Sequence, residues 1–142
     1  MKNLLLFILP LFLLFSCNKP KEVIEESYPD GSKKIVRLYK GEGKDKVLLK
    51  EIAYYPNKKM HYEGEYTNNK RDGKWIYWYD NGNKWSEGYL KKEINDGKRI
   101  VWFENGNKRY EGNYKDGKEI GKWQFYNESG ALTKEIDFDT IK

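Results

Sequence analysis

Apolar and polar positions recur on a fixed interval through most of this chain. Asp72-Gly73-Lys74 returns as Asp96-Gly97-Lys98 and Ile120-Gly121-Lys122, and Asn81-Gly82-Asn83 returns as Asn105-Gly106-Asn107 and Ser129-Gly130-Ala131, each time 24 residues on. Glu63-Gly64, Glu87-Gly88 and Glu111-Gly112 keep the same beat, and Glu135-Ile136 closes the series. Large side chains follow it as well. Tyr54, Trp78, Trp102 and Tyr126 share one slot, and Tyr66, Leu90, Tyr114 and Phe138 share another. Tyr55, Tyr79 and Phe103 share a third, broken at Asn127, and Ile52, Ile76 and Ile100 a fourth, broken at Gln124. Self-similarity at a fixed period marks an architecture in which each unit packs on its neighbours.

Each unit reads as two strands and two turns. Trp75 to Tyr79 is a run of aromatic and β-branched residues, and Asn81-Gly82 supplies the positive φ of a tight hairpin. Lys84 to Leu90 is the return strand, and Asp96-Gly97 is expected to turn the chain into the next unit. Beyond the first residues no stretch shows the i, i+3, i+4, i+7 pattern of a helix. The predicted fold is all-β: an elongated single-layer antiparallel meander of tandem 24-residue β-hairpin repeats. Tyr28-Pro29-Asp30-Gly31 parallels Tyr55-Pro56-Asn57-Lys58 but precedes it by 27 residues. That spacing predicts a degenerate first unit over 28–47, with an insertion near Gly41-Glu42-Gly43, then regular units over 48–120 and a C-terminal cap over 121–142.

Side chains two apart along a strand share a face. Ile76 and Trp78 recur most regularly and are assigned to the more buried face. Trp75, Tyr77 and Tyr79, with Trp85 and Tyr89 of the return strand, then form an opposite aromatic face, the candidate binding surface. A glycine inside a strand leaves space for a neighbour, so Trp78 or an aromatic of the neighbouring unit is expected over Gly88. Whether the Asn-Gly loop has two or three residues stays open, and with it the register.

Composition agrees with a sheet: aromatic residues make up 16% of the 142 positions and glycine contributes 13, residue types suited to strands and tight turns. Charge narrows the partners. Lys plus Arg number 27 against 22 Asp plus Glu, a net +5, but the two signs interleave and form no basic stripe, so no nucleic-acid partner is expected. His61 is the single histidine and fills a slot held elsewhere by Trp85, Arg109 and Thr133. No catalytic triad or metal site can be assembled around it, and no enzymatic activity and no cofactor are expected. The row Glu63, Glu87, Glu111 and Glu135 is expected to pair with lysines and arginines across strands. The Asp-Gly-Lys copies lack the spacing of a phosphate-binding or calcium-binding loop.

The first residues follow another rule. Lys2 precedes a run from Leu4 to Phe15 without a polar side chain, too short for a membrane helix of about 20 residues and matched to a secretory signal peptide. Leu14-Phe15-Ser16-Cys17 looks like a lipobox, and the leader resembles that of bacterial lipoproteins, in which cleavage precedes the cysteine and that cysteine carries the lipid. Cys17 is the only cysteine, and lipidation accounts for an unpaired thiol in an exported chain. Residues 1–16 are thus expected to be a signal peptide, and 17–27 a lipidated cysteine with a polar tether. The mature chain would be exported and held on the inner or outer membrane of the cell envelope.

The repeat resembles the MORN-repeat family, in particular its bacterial variant. The residues that carry the likeness are Tyr79-Asp80-Asn81-Gly82-Asn83-Lys84, Glu87-Gly88 and Asp72-Gly73-Lys74-Trp75, repeated in register over about residues 48–138. The resemblance implies an elongated sheet of hairpins that makes protein–protein contacts and associates with membranes. Bacterial relatives of the variant type carry an antitoxin-like label. The expected function is a non-enzymatic envelope lipoprotein with a repeat-based protein-interaction module. The alternatives are an immunity-like protein that neutralises a toxin partner and a binder of an envelope glycan.

Overall fold

In a computed structural model, which describes residues 19–141, ten strands form one antiparallel sheet whose spatial order is the chain order. They are β1 Lys21–Ser27, β2 Lys33–Lys40, β3 Val47–Tyr54, β4 Met60–Thr67, β5 Lys70–Trp78, β6 Lys84–Lys91, β7 Ile94–Trp102, β8 Lys108–Lys115, β9 Lys118–Tyr126 and β10 Leu132–Asp137. The all-β meander of hairpins expected from the repeat is the fold observed. A single 3-10 turn, Gly43–Asp45, sits in the longer connection between β2 and β3, beside the insertion placed near Gly41-Glu42-Gly43. The expected signal peptide and Cys17 lie outside the described residues. Among the described residues no helix is long and apolar enough to cross a membrane.

The first hairpin begins earlier than the sequence suggests. Residues 21–27, expected to belong to the tether, form β1, and Val23 and Ile24 pair with Arg37 and Val36 of β2. The segment reads as a tether because its other positions are polar. Charged side chains are what an edge strand carries to discourage pairing with another chain, and here Glu22 and Glu26 form ion pairs with Lys33 and Lys34.

Each hairpin tip has one geometry. The amide of Gly82 donates to the Tyr79 carbonyl and that of Tyr79 to the Asn83 carbonyl; Tyr28–Ser32, Tyr55–Lys59, Phe103–Asn107 and Asn127–Ala131 repeat the pair. This is the three-residue loop, a turn followed by a left-handed residue, Gly82 at φ 97°, that matches strand twist. The asparagines also tie the tips together. The side-chain amides of Asn57, Asn81 and Asn105 donate to the carbonyls of Asp80, Glu104 and Glu128, one unit further along. Three tyrosine hydroxyls do the same: Tyr28 to the Tyr54 carbonyl, Tyr55 to Trp78 and Tyr79 to Trp102.

The second turn is not where the Asp-Gly pairs predict it. The chain reverses at Asn68-Asn69, Lys92-Glu93 and Asp116-Gly117, all with positive φ. Asp72-Gly73-Lys74 and Asp96-Gly97-Lys98 instead lie inside β5 and β7 as bulges, where the pairing shifts register against β4 and β6. Each bulge serves the next turn: the Asp72 and Asp96 carboxylates accept the amides of Lys92 and Asp116. Aspartate and glycine are turn formers in isolation, which is why the local signal misleads.

The faces are also reversed. Trp75 is only 3% exposed, and Ile76 and Trp78 on the other face are half-buried. Register explains it. Gly64, between Tyr62 and Tyr66 of β4, pairs with Trp75, and the indole lies on that glycine so closely that a β-carbon there would come within 2.1 Å of the ring. Its N–H donates to the Glu65 carbonyl. Trp123 covers Gly112 in the same way. Aromatic rings do lie on strand glycines, but at Gly64 and Gly112 and not at Gly88, the place expected for Trp78 or an aromatic of the neighbouring unit. Gly88 lies under Arg99 instead.

Gly64→Ala and Gly112→Ala should each lower stability by about 1–3 kcal/mol or more through overpacking against a ring. Gly88→Ala should cost clearly less, because the Arg99 stem can move. Urea midpoints of the three variants check this; equal losses at all three sites would refute the packing account.

Candidate functional site

The inward-packed face carries a longer period than 24. Its slots read Glu51, Trp75, Arg99, Trp123; then Ala53, Tyr77, Val101, Phe125; then Tyr62, Ser86, Tyr110, Lys134. Large aromatic and small or charged residues alternate, so the pattern repeats only after 48 residues. Two aromatic clusters result. In the first, Tyr62, Tyr66 and Tyr77 surround Trp75 at centroid distances of 5.9, 5.6 and 6.1 Å. In the second, Tyr110, Tyr114, Phe125 and Phe138 surround Trp123 at 5.8, 5.0, 6.4 and 5.9 Å. Such pairs contribute about 0.5–1.5 kcal/mol each beyond area burial.

Between the clusters the face is low. Ser86 is 1% exposed and Val101 4%, and Ser86 lies in the lining of a cleft of about 380 Å³. Trp75, Tyr77 and Trp85 form one wall, Arg99 and Leu90 another, and Arg71, Glu93 and Asn95 stand at its end. Trp85 belongs here because a bulge lies beside it: Tyr77 pairs with Ser86 but Trp78 with Lys84. Its ring meets Tyr77 edge-on at 5.6 Å and is 42% exposed.

The face also carries a closed polar cluster. Glu51 is 6% exposed and accepts hydrogen bonds from Arg37 Nε at 2.7 Å and the Tyr62 hydroxyl at 2.8 Å. Arg99 holds the slot two units along but has no such partner. Among the described residues its guanidinium reaches only the Ser86 hydroxyl, at 3.4 Å. Arg71 lies over the Trp75 ring at 5.4 Å. Among the described residues the one arginine in an ion pair is Arg37.

Of the residues expected to form a binding surface, Trp75, Tyr77, Tyr79 and Trp85 share this region. Trp75 is buried, however, so it works as the foundation of a wall rather than as an exposed platform. Tyr79 is half-committed to the fold through its hydroxyl. Tyr89 is 45% exposed but belongs to the other face, against the Gly97 bulge. Arg71, Ser86 and Arg99 did not stand out in the sequence reading. Their signal was the alternation between successive 24-residue units, hidden by aligning all units as equivalent.

The opposite face bears the glutamate row, paired with lysine as expected. Lys50 pairs with Glu63, Lys74 and Lys84 with Glu87, Lys98 and Lys108 with Glu111, and Lys122 with Glu135. Hydrogen bonding from Lys108 holds the Glu111 carboxyl below its ordinary value against the opposing effect of burial. His61 stacks on Tyr55 at 4.3 Å, and burial lowers its pKa. No group of three or more His, Cys, Asp or Glu among the described residues is arranged to hold a metal ion.

A family described as MORN repeat variant matches the chain at residues 49–68, 71–92, 95–116 and 119–139. These stretches cover more than half of the sequence, and the chain belongs to that family. The matches start within β3, so the first hairpin lies outside them. No curated protein matches the chain.

The Tyr62 phenol gives a pH prediction. Burial first, then its hydrogen bond to Glu51, pushes its pKa well above the ordinary tyrosine value. A pKa raised by folding stabilises fully below the unfolded value, about 10, and that stability is lost as pH rises from there toward the folded value. Folding stability should therefore fall above about pH 10, and Tyr62→Phe should make the fall shallower by up to about 1.4 kcal/mol per pH unit. Urea titrations from pH 8 to 11 measure both slopes; identical slopes would contradict the assignment.

Proposed function

We propose that this MORN-variant chain is a non-enzymatic, lipid-anchored protein of the cell envelope whose sheet binds a protein partner on the face that holds the two aromatic clusters. The observation that carries the reading is the open single layer. All ten strands lie in one sheet, and among the described residues no second layer covers that face, which presents half-buried aromatics around a cleft. A sheet normally buries its apolar face against another element, and large uncovered apolar patches mark interaction sites. The other face, with its lysine–glutamate pairs, suits solvent.

The anchor rests on Cys17 and the apolar run before it. Multiple acyl chains on one residue give stable membrane attachment, at about 0.8 kcal/mol per buried CH₂. With β1 starting at Lys21, only a few residues separate the lipid from the sheet, so the array would stand close to the membrane surface. A toxin is one partner that the family likeness implies, and it would be met outside the cytoplasm. Relief of such a toxin's killing by this chain tests that narrower reading.

Two measurements check the proposal. Cys17→Ser should abolish metabolic lipid labelling and release the chain from membranes; unchanged labelling would refute the anchor. A photo-crosslinking amino acid at position 85, in the cleft wall, should trap a discrete protein adduct in cells, whereas one at position 98, on the opposite face, should not. Equal adducts at both positions, or adducts only at 98, would refute the assignment of the binding face.

A further inference from the structure

We infer that the cleft between the two aromatic clusters is a carboxylate-binding site, in which Arg99 and Arg71 receive an acidic side chain of the partner and Trp75, Tyr77 and Trp85 pack against a neighbouring apolar side chain. The inference rests on the protein-binding reading above and names what that face recognises.

The fold supplies the argument by contrast with itself. At Glu51 a charged residue enters the packed face and is answered from within, by Arg37 and Tyr62. Arg99 enters the same face in the equivalent slot, lies across Gly88 with its Cδ where a β-carbon would come within 2.9 Å, and is left with one long bond to Ser86. A guanidinium carries five N–H donors in a planar fork, and most of this fork is uncommitted. Arg71, at the end of the same cleft, makes no ion pair among the described residues. A half-buried Arg99 and an exposed Arg71 that lies over the Trp75 ring, both without an ion pair among the described residues, give one concave site two guanidiniums, the complement of a planar carboxylate, which such groups grip through paired hydrogen bonds.

The surroundings favour a polypeptide carboxylate over a lipid phosphate. Among the described residues no lysine lines the cleft; on the opposite face Lys50, Lys74, Lys98 and Lys122 are engaged with glutamates. Glu93 at the rim carries the same sign as either anion and does not distinguish them. The walls are aromatic and apolar, matched to a side chain beside the acid. The volume lies at the low end of small-ligand clefts, about 300–1,000 Å³, the scale of one or two side chains.

The probe is an N-acetylated, C-terminally amidated Trp-Glu dipeptide, with Trp-Gln as its uncharged twin, titrated into the mature chain. Arginine Nε–Hε and tryptophan indole NMR signals give the readout. The acidic probe should bind about tenfold more tightly than its twin and should move the Arg71, Arg99 and Trp85 signals. Arg99→Gln and Arg71→Gln should each remove that preference, while Arg109→Gln should leave it intact. Arg99→Lys, which keeps charge and stem, should retain only part, and urea midpoints confirm that each variant is folded. Equal binding of the two probes, or a preference that survives Arg99→Gln, overturns the inference. So does arginine-dependent binding to phosphatidylglycerol vesicles without binding of the acidic dipeptide, which would assign the site to lipid. Crosslinking at position 85 separates the two proposals. Adducts that persist in Arg99→Gln keep the protein-binding face and reject the carboxylate site; loss of adducts from the parent chain rejects the face itself.

Discussion

An indole can lie flat on a β-sheet only where the residue beneath it lacks a β-carbon, and the architecture of this protein depends on that contact. Trp75 rests on Gly64 and Trp123 on Gly112, and the aromatic clusters assemble around the two indoles. A single-layer sheet has no opposite layer to exclude water from its apolar face, so it must build thickness from its own side chains. Rings laid parallel to the sheet achieve this: they cover backbone on adjacent strands and bury themselves in doing so. The glycine is what makes the burial possible, and it also fixes register. A slip by one residue would put a side chain under the ring and turn every neighbour to the wrong face.

The contact is used in alternate units. Where tryptophan occupies the slot, the face rises into a cluster; where arginine occupies it, the face stays low and a cleft opens. A strictly uniform array with tryptophan in every slot would present a continuous ridge and no concavity. The 48-residue alternation thus converts a structural repeat into a surface with one distinct place on it, between β5 and β7. The cap units differ in a related way. The ladder of tyrosine hydroxyls that ties each tip to the next strand stops where Phe103 replaces tyrosine, and Asn127 then closes its own tip through its side chain.

The period, the strand content and the hairpin tips were legible in the sequence because they depend on local chemistry repeated in register. Asn-Gly turns and runs such as Trp75–Tyr79 announce themselves without knowledge of the fold. What stayed hidden depends on pairing across strands. Asp96-Gly97 has the chemistry of a turn and forms a bulge, because its carboxylate is recruited to cap the turn at Asp116. Ile76 recurs more faithfully than Trp75, and regularity suggested burial. In this sheet the regular face is the one that carries the row of lysine–glutamate pairs, and the packed face varies because it alternates. The aspartate caps, the Trp–Gly stacks and the open arginines are all relations between units, which an alignment of units upon one another averages away.

The two faces handle charge in opposite ways, and the magnitudes show why that matters. In the lysine–glutamate pairs of the regular face the lysines reach into solvent while most of the glutamates are half-buried, and pairs open to water contribute about 0–1 kcal/mol each. They keep that face hydrated and oppose incorrect register more than they hold the sheet together. On the packed face a charge is partly withdrawn from water, where an unpaired group costs far more than an exposed one. The Glu51 cluster answers that cost with two short hydrogen bonds. At Arg99 the fold answers it with one long hydrogen bond, to Ser86, in a slot where the same sheet elsewhere places tryptophan. A tryptophan there would extend the aromatic stripe and close the cleft. The arginine gives up that packing and retains an uncommitted cationic fork inside a concave aromatic site, an arrangement that stabilises the free protein less than the alternative and gains most when an anion enters.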